Sequence, residues 1–343
     1  MDAKDIEKKI MGTPVPNVKK VALAYSGGLD SSLSVELLRR VYKAAEIVAV
    51  NVDVGQGEEE VEEGKRKAKV LKIKPIFIDA RKEFTERWLP LAIKANSDYE
   101  GYPVSTSMTR QLIARIVAEK AVELGCDGLM EGSSGKGNDQ YRMHNVFKMF
   151  APGLEVLVPV RDFDLTRKEE EVICKAWSVP VTEMITGGDD KTMWCRSIAS
   201  GAIDLNQELP DDIWMWLIPP EKADERGETI EIAFEGGIPV SLDGKRMPLA
   251  ELVPKLNVIA GRNGVGKIDM FEDGKEIICC RDMDMLRETV EVWLAEPEKR
   301  AQIGRAARAR ILQQHTFTHR IRKIIETIPA FSSSPTTDES GII

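Results

Sequence analysis

A glycine-rich turn between an apolar strand and an amphipathic helix constrains this chain more than any other feature. The segment 24–32 reads AYSGGLDSS, and its first two residues are the end of the apolar run 21–25. Two adjacent glycines allow a sharp turn and a close approach to a ligand, and a helix N-terminus attracts anions. We therefore predict a phosphate-binding loop, with a helix that begins at Ser31 and Ser32 and presents free N–H groups there. The alternative is an ordinary serine-capped turn.

A second glycine-rich segment only superficially resembles a nucleotide site. Residues 261–267 read GRNGVGK, but Ile268 stands where a Walker A loop needs a hydroxyl for magnesium, and no apolar strand precedes the segment. That loop requires Ser or Thr after the lysine. We predict a surface turn here.

Composition narrows the functional classes. Of the 343 residues, 43% are hydrophobic and 30% are charged, a composition typical of folded domains. The formal net charge of -8 disfavours nucleic-acid binding. No apolar run approaches the roughly 18 residues of a membrane helix, and the start of the chain does not resemble a secretory signal, so we expect a cytoplasmic protein. The five cysteines form no CxxC pair, which argues against a disulfide framework or a zinc ribbon.

Strand-like and helix-like segments alternate along the first half of the chain, which predicts βαβ units and an α/β fold with a parallel twisted sheet. We expect a nucleotide-binding domain over 1–178, an α+β domain over 179–282 with a hairpin turn at Asp243-Gly244, a helical tail over 283–330 and disorder over 331–343. The predicted strands are 21–25, 47–52, 75–79, 128–131 and 156–160, and the predicted helices are 31–42, 58–71, 81–93, 106–124 and 167–177.

A second candidate anion site follows the predicted strand 128–131. Residues 131–142 read EGSSGKGNDQYR. Its glycines permit close backbone approach, Lys136 and Arg142 can bind phosphate or carboxylate, and Asn138 with Asp139 can accept hydrogen bonds from an amine. Because loops after parallel strands meet at one edge of the sheet, we expect this loop and the first to share a crevice. A solvated turn is the alternative.

These motifs resemble a known family. The spelling SGGxDSS is that of the pyrophosphate loop of N-type ATP pyrophosphatases. Over about 18–269 the chain resembles the argininosuccinate synthase family, whose YSGGLDTS is matched at 25–32, with Ser31 for Thr, and whose GxxGKGNDQxR is matched at 132–142. Further matches are VDVGQ at 52–56, YPxxTSxxRxLIAR at 102–115, APxLxVxxPxRD at 151–162 and WxRS at 194–197.

The resemblance implies a ligase that uses ATP and Mg²⁺ to activate citrulline as an adenylate, which aspartate then attacks. It assigns roles only at the matching positions. Asp30, Ser31 and Arg142 would be catalytic, with Asp30 near the metal. Ala24, Tyr25, Ser26, Gly27, Gly28, Ser32 and Gly132 would bind the nucleotide, and Tyr102, Thr106, Ser107, Ser134, Asn138, Asp139, Ser197 and Glu272 would bind the amino-acid substrates.

The chain departs from the family in two places. Gly188 replaces a citrulline-binding Ser of the pattern SxDENLWGRS, and Asp284 stands where a Tyr is expected. From about 270 to 328 the sequence instead resembles the C-terminal end of spore-maturation-type group 1 glycosyltransferases, without their donor-binding half, so we do not infer sugar transfer. We expect its basic helix, 298–314, to contact another copy of the chain in a homo-oligomer, or a partner. The alternative is an amphipathic helical pair that packs against the core.

Three other functions stay open at this stage. The same adenylation could act on a different ureido or amide acceptor. A pyrophosphate-loop tRNA sulfurtransferase would share the first loop but needs reactive cysteines. A nucleotide-binding module without turnover would keep both loops and lack the substrate side.

Overall fold

The computed structural model describes residues 2–99, 101–134, 137–181, 186–201, 216–267, 290 and 292–310. Within these ranges the described residues form two compact units. The first comprises those of Met1–Phe84, Ser105–Met184 and Gly188–Ile198, and the second those of Thr85–Val104, Ile185–Gly187 and Ala199–Ile343. The predicted domain boundaries stay predictions.

The first unit is built on a five-stranded parallel sheet in the order β3-β2-β1-β4-β5. Its strands are β1 (Lys20–Ala24), β2 (Glu46–Asp53), β3 (Ile76–Asp79), β4 (Gly128–Met130) and β5 (Glu155–Leu157). The chain runs from β1 to one side through β2 and β3, and then returns to place β4 on the other side of β1. The crevice where such a sheet binds ligands therefore lies at the carboxyl ends of β1 and β4.

Helices connect and cover these strands. In the first unit they are α1 (Ala3–Gly12), α2 (Leu29–Arg40), α3 (Glu58–Val70), α4 (Arg81–Glu83), α6 (Ser105–Glu123), α7 (Asp139–Phe150), α8 (Pro159–Asp162) and α9 (Arg167–Ala176), whereas α5 (Leu89–Lys94) belongs to the second unit. A buried apolar cluster joins Ile6 of α1, Leu33 of α2 and Ile173 of α9 to Leu23 of β1. Burial of this cluster stabilises the unit and sets the position of α2, whose N-terminus follows the glycine loop.

Two predicted elements are wrong in detail. The strand expected over 156–160 ends at Leu157, and a short helix begins at Pro159, because proline suits the first position of a helix. The helix expected over 81–93 is interrupted by a π-helical turn, Phe84–Trp88. Pro90 follows in the first turn of α5, where its missing N–H costs nothing. Helices α1 and α7 had no counterpart in the sequence prediction.

The later elements include two small sheets. The first pairs β6 (Thr186–Lys191) with β7 (Arg196–Gly201), and the second has the order β10-β9-β8, formed by β8 (Ile232–Glu235), β9 (Ile238–Leu242) and β10 (Lys245–Arg246). The predicted hairpin at Asp243-Gly244 is confirmed, because Leu242 pairs with Lys245 and both turn residues have positive φ angles. Such angles suit the tight turns that match strand twist. A 3₁₀ turn, Pro220–Lys222, and the helices α10 (Leu249–Arg262) and α11 (Pro297–Arg310) complete the described elements.

Among the described residues, no helix combines the length and the apolar character that crossing a membrane requires.

Candidate active site

The glycine loop connects β1 directly to helix α2, as predicted, but the helix begins earlier than expected. Gly28 is its N-cap and Leu29 its first residue. The N–H of Ser32 donates to the carbonyl oxygen of Gly28 at 3.0 Å, so it is not available to a ligand. The amides that lack an acceptor within the helix are those of Leu29, Asp30 and Ser31. The donor set therefore lies closer to the glycines than predicted, and Ser31 is the one residue common to both sets.

Serine hydroxyls organise the inside of the loop. The N–H of Gly27 donates to Ser31 Oγ and that of Gly28 donates to Ser26 Oγ, each at 3.1 Å. The two hydroxyl oxygens lie 3.2 Å apart. Ser26, Ser31 and the two glycine amides thus form one cluster at the positive end of α2, where an anion is favoured.

Helix α3 packs against the underside of the loop, which the sequence analysis did not predict. Gly27 has a φ of +82°, and a β-carbon there would lie 2.6 Å from Cα of Gly64. The Lys67 ammonium donates to the carbonyl oxygen of Gly27 at 2.9 Å. Tyr25 Oη donates to the carbonyl oxygen of Gly64 at 3.2 Å, and burial raises the pKa of Tyr25 to about 12. The one available signal was Gly64, since a glycine inside a helix often marks a close contact.

A neighbouring strand also supports the loop. Asn51, buried on β2, donates from Nδ2 to the carbonyl oxygen of Tyr25 at 2.9 Å. Tyr25 in turn donates its backbone N–H to Val50. Tyr25, which leads from β1 into the loop, is therefore fixed by hydrogen bonds to its backbone carbonyl, its backbone N–H and its hydroxyl.

The second predicted loop meets the first, as expected of strands that neighbour each other in the sheet. A β-carbon on Gly132 would lie 2.8 Å from Cβ of Asp30. Glu131 is buried and accepts hydrogen bonds from the backbone N–H and the hydroxyl of Ser133, both at 2.7 Å. Burial raises the pKa of Glu131, although the bonds from Ser133 favour its ionised form. Gly135 and Lys136 lie outside the described residues.

The end of that segment is helical rather than a loop. Asn138 is the N-cap of α7, and Asp139 and Arg142 lie in its first turn. Asparagine and aspartate favour turns and helix starts equally, so the sequence alone did not separate the two. The helix fixes Asp139 and Arg142 on a rigid element, three residues apart.

A charge network connects these residues with the first turns of α6. Arg110 Nε donates to Asp139 Oδ2 at 3.0 Å, and Arg142 donates to Asp139 Oδ1 at 2.8 Å. Arg110 also bridges to Asp190, which accepts from Thr106 Oγ1 at 3.3 Å. Burial disfavours the charged guanidinium, but Asp190 and Asp139 outweigh it and raise the pKa of Arg110. Arg110 lies within the matched motif 102–115, and Asp190 lies in the segment 188–197, where the chain departs from the family pattern. No role was predicted for either.

The carboxylate of Asp30 is paired with a residue that the sequence analysis missed. Arg167, the first residue of α9, donates to Asp30 Oδ1 at 2.9 Å. Glu170 lies buried one turn further along α9. Burial, together with the nearby Asp30 carboxyl, raises the pKa of Glu170 to about 9. Arg167 and Glu170 thus determine the charge around Asp30.

The remaining predicted site residues are less closely connected. Ser107 is half-buried in the first turn of α6, Ser197 is half-buried on β7 and Ser134 is exposed. Tyr102 belongs to the second unit, where its backbone pairs with that of Tyr99. Glu272 and Asp284 lie outside the described residues, as do Cys279, Cys280 and most of the tail.

The segment 261–267 is not a phosphate loop. Its first two residues, Gly261 and Arg262, are the last residues of helix α10, so the segment continues from a helix rather than from a strand. A β-carbon on Gly261 would lie 1.9 Å from the carbonyl oxygen of Trp216. Its glycines therefore serve close backbone packing and a helix end.

Comparison with known proteins supports the motif assignments. A family model described as the arginosuccinate synthase N-terminal HUP domain matches residues 20–180, and the model of the arginosuccinate synthase C-terminal domain matches residues 188–285. A glycosyl transferase-like model matches residues 260–326. The first match and the sheet order confirm the predicted N-type ATP pyrophosphatase fold, and the third confirms the predicted resemblance of the tail.

Curated relatives give the same result. The chain is 44% identical over 258 residues to the argininosuccinate synthases of Methanococcoides burtonii and Methanosarcina barkeri, covering 74% of this chain and 65% of each relative. It is 38% identical over 286 residues to that of Methanopyrus kandleri, covering 82% of this chain and 72% of the relative. The chain thus spans about two thirds of the length of these relatives, and it belongs to the argininosuccinate synthase family.

Proposed function

We propose that this chain is an ATP-dependent, AMP-forming ligase that joins aspartate to citrulline. The observation that carries the proposal is the contact between Gly132 and Asp30. It brings a loop suited to phosphate against a loop that leads to the charge network of Arg110, Asp139 and Arg142, to which we assign the amino-acid substrates. Family membership supports the same reaction. The relatives that the chain matches are named argininosuccinate synthase.

The first loop would bind the triphosphate. The amides of Leu29, Asp30 and Ser31 and the hydroxyls of Ser26 and Ser31 lie at one helix N-terminus, and such donors suit phosphate oxygens. Ala24, Tyr25, Gly27, Gly28, Ser32 and Gly132 complete the proposed nucleotide set.

Magnesium would enter with the nucleotide. No group of three or more His, Cys, Asp or Glu side chains that could hold a metal by itself occurs among the described residues. Magnesium commonly uses one or two carboxylates together with phosphate oxygens. Asp30, at the N-terminus of α2, is the carboxylate that fits, and the ion would neutralise charge on the departing pyrophosphate.

The second loop and the network would hold the amino acids. Asp139 and Asn138 would accept hydrogen bonds from the aspartate amine, and Arg142 would bind a carboxylate or the developing phosphate charge. Thr106, Ser107, Ser134, Ser197, Tyr102 and Glu272 are proposed as further substrate contacts, from the family pattern alone.

The proposed reaction has two steps. The ureido oxygen of citrulline attacks the α phosphorus of ATP, and the bond to the β phosphate breaks with release of pyrophosphate. The amine of aspartate then attacks the activated carbon, loses a proton and displaces AMP. In both steps the protein positions the reactants and stabilises charge, so no covalent bond to the enzyme is needed.

The test is formation of AMP and pyrophosphate by purified protein supplied with ATP, magnesium, citrulline and aspartate. Pyrophosphate release that requires citrulline, and argininosuccinate formation that requires both amino acids, would support the proposal. ATP binding without turnover under all these conditions would contradict it and favour the binding-module alternative.

One observation favours a different acceptor as the second candidate. Where the family pattern has Ser and Gly, this chain has Gly188 and Cys195. The thiol of Cys195 lies 2.9 Å from Ser105 Oγ, at the start of α6, next to the proposed substrate residue Thr106. Gly188 lacks the hydroxyl of the family's Ser, and Cys195 adds a thiol where the family has no side chain. Both changes alter the polar groups available to an acceptor, and such changes alter substrate specificity. A panel of ureido and amide acceptors in the same assay separates the two candidates.

The described cysteines do not favour sulfur transfer. Burial raises the pKa of Cys126 and Cys195, and it raises that of Cys174 to about 12. Reactive thiols instead have lowered pKa values and partial exposure.

A cytoplasmic location and a homo-oligomeric state are part of the proposal. An unchanged mass by light scattering after deletion of residues 283–343 would count against the tail as a subunit contact.

A further inference from the structure

One peptide group in the glycine loop has two possible orientations with opposite consequences for an anion. The carbonyl of Gly27 and the N–H of Gly28 belong to the same planar peptide and point in opposite directions. Glycines at both positions, with φ angles of +82° and -66°, impose little steric preference. If this peptide turned over, a carbonyl oxygen would replace an amide donor in the cluster with Ser26, and an anion would be repelled.

The side chain of Lys67 contacts this peptide. Its ammonium lies 2.9 Å from the carbonyl oxygen of Gly27, and the residue is 7% exposed. The ammonium also lies 3.6 Å from Oε1 of Glu63. A buried ammonium needs acceptors, so the Gly27 carbonyl and Lys67 satisfy one another.

The contact determines the direction of the Gly28 amide. With the carbonyl bound below the loop by Lys67, the N–H of Gly28 faces Ser26 Oγ at 3.1 Å. Tyr25 Oη binds the Gly64 carbonyl and so connects the loop to α3, against which Gly27 packs too closely to admit a β-carbon.

We propose that Lys67 is a positioning residue for phosphate recognition, which holds the Gly27-Gly28 peptide so that its N–H binds Ser26 Oγ and orients that hydroxyl for the pyrophosphate. It acts through the Gly27 carbonyl and also places a positive charge beneath the loop. This inference rests on the proposed function in one respect, that the loop binds the diphosphate part of ATP.

The experiment measures binding of inorganic pyrophosphate with magnesium to the full chain by isothermal titration calorimetry. The variants are Lys67→Met, Lys67→Gln and Lys67→Arg, and the matched control is Lys69→Met, an exposed lysine on the same helix. Loss of a charge-assisted hydrogen bond should weaken binding about tenfold or more in the two neutral variants. Lys67→Arg should restore most of the affinity, and the control should match the unaltered protein.

A second readout follows the peptide itself. In protein labelled with ¹⁵N-glycine, the amide resonances assigned to Gly27 and Gly28 should shift or broaden in Lys67→Met and return towards their original positions in Lys67→Arg. Unchanged pyrophosphate affinity in folded Lys67→Met or Lys67→Gln would overturn the inference, as would a failure of the unaltered protein to bind pyrophosphate. Loss of folding in both neutral variants would also overturn it, because Lys67 would then serve stability alone.

The outcome is separable from that of the proposed function. Pyrophosphate binding that depends on Lys67, without AMP formation from citrulline and aspartate, would support the positioning role and contradict the ligase assignment. AMP formation from citrulline and aspartate, together with unchanged pyrophosphate affinity in the Lys67→Met variant, would support the ligase assignment and contradict the positioning role.

Discussion

Gly132 lies so close to Asp30 that a β-carbon on the glycine would approach Cβ of Asp30 to 2.8 Å. This contact joins the loops that follow β1 and β4, and it explains why glycine is required at a position whose own backbone conformation is not unusual. The spacing between the two candidate subsites depends on it.

We predict that Gly132→Ala weakens MgATP binding about tenfold or more, because even a small overlap in a packed site costs about 1–3 kcal/mol. The added methyl group would displace Asp30 and the first turn of α2. Steady-state kinetics with varied MgATP measure the effect. Gly153→Ala is the control, since a β-carbon there meets nothing within 4 Å, and equal behaviour of the two variants would contradict the prediction.

We predict that Gly27→Ala destabilises the protein more than its backbone angle alone explains. Its positive φ is unfavourable to alanine, and the β-carbon would also lie 2.6 Å from Cα of Gly64. Gly125→Ala shares a positive φ, with nothing within 4 Å, so the difference between the variants isolates the contact. We expect Gly27→Ala to lower the free energy of unfolding by about 1–3 kcal/mol more than the control. Denaturant titration would refute this if both variants lost equal stability.

The pair formed by Arg110 and Asp190 should be strongly coupled. Removing the arginine in Arg110→Met leaves two carboxylates, Asp139 and Asp190, without their shared partner. We expect a loss of about 1–3 kcal/mol of stability, because Asp190 loses its cationic partner while Arg142 still pairs with Asp139. Asp190→Asn in the arginine-containing protein should cost less. A double-mutant cycle by urea unfolding should give a coupling of about 0.5–3 kcal/mol, and additive effects would show that the pair contributes nothing specific.

Glu131 should make stability depend on pH. Its pKa is raised in the fold by burial, so above the ordinary glutamate pKa the unfolded chain loses a proton that the folded protein keeps. The free energy of unfolding should therefore fall as the pH rises from about 4.5 towards the raised pKa, by up to about 1.4 kcal/mol per pH unit.

The variant Glu131→Gln should reduce that slope and leave the part contributed by Glu170, whose pKa is also raised, whereas Glu155→Gln, at an exposed position on β5, should retain the full slope. Thermal unfolding between pH 5 and about pH 8 makes the comparison. Parallel pH dependence in the unaltered protein and Glu131→Gln would contradict the assignment of a raised pKa to Glu131.

The sequence by itself determined the elements whose signal is local. The glycine loop after an apolar strand, the alternation of strands and helices and the tight turn at Asp243-Gly244 each depend on residues that are near one another in the chain, and each is confirmed. Where local preferences were ambiguous the prediction was wrong, because α2 begins at Leu29 rather than at Ser31 and α7 was not predicted.

Only the tertiary structure decided which distant residues meet. Lys67 reaches a carbonyl 40 positions away, and Arg110 reaches a carboxylate 80 positions away. No periodicity or motif encodes such a pairing, because it depends on how the sheet places its loops and how the helices pack on them. The chemical groups of the loops can therefore be predicted from the sequence. Which residues orient those loops depends on packing between elements far apart in the chain.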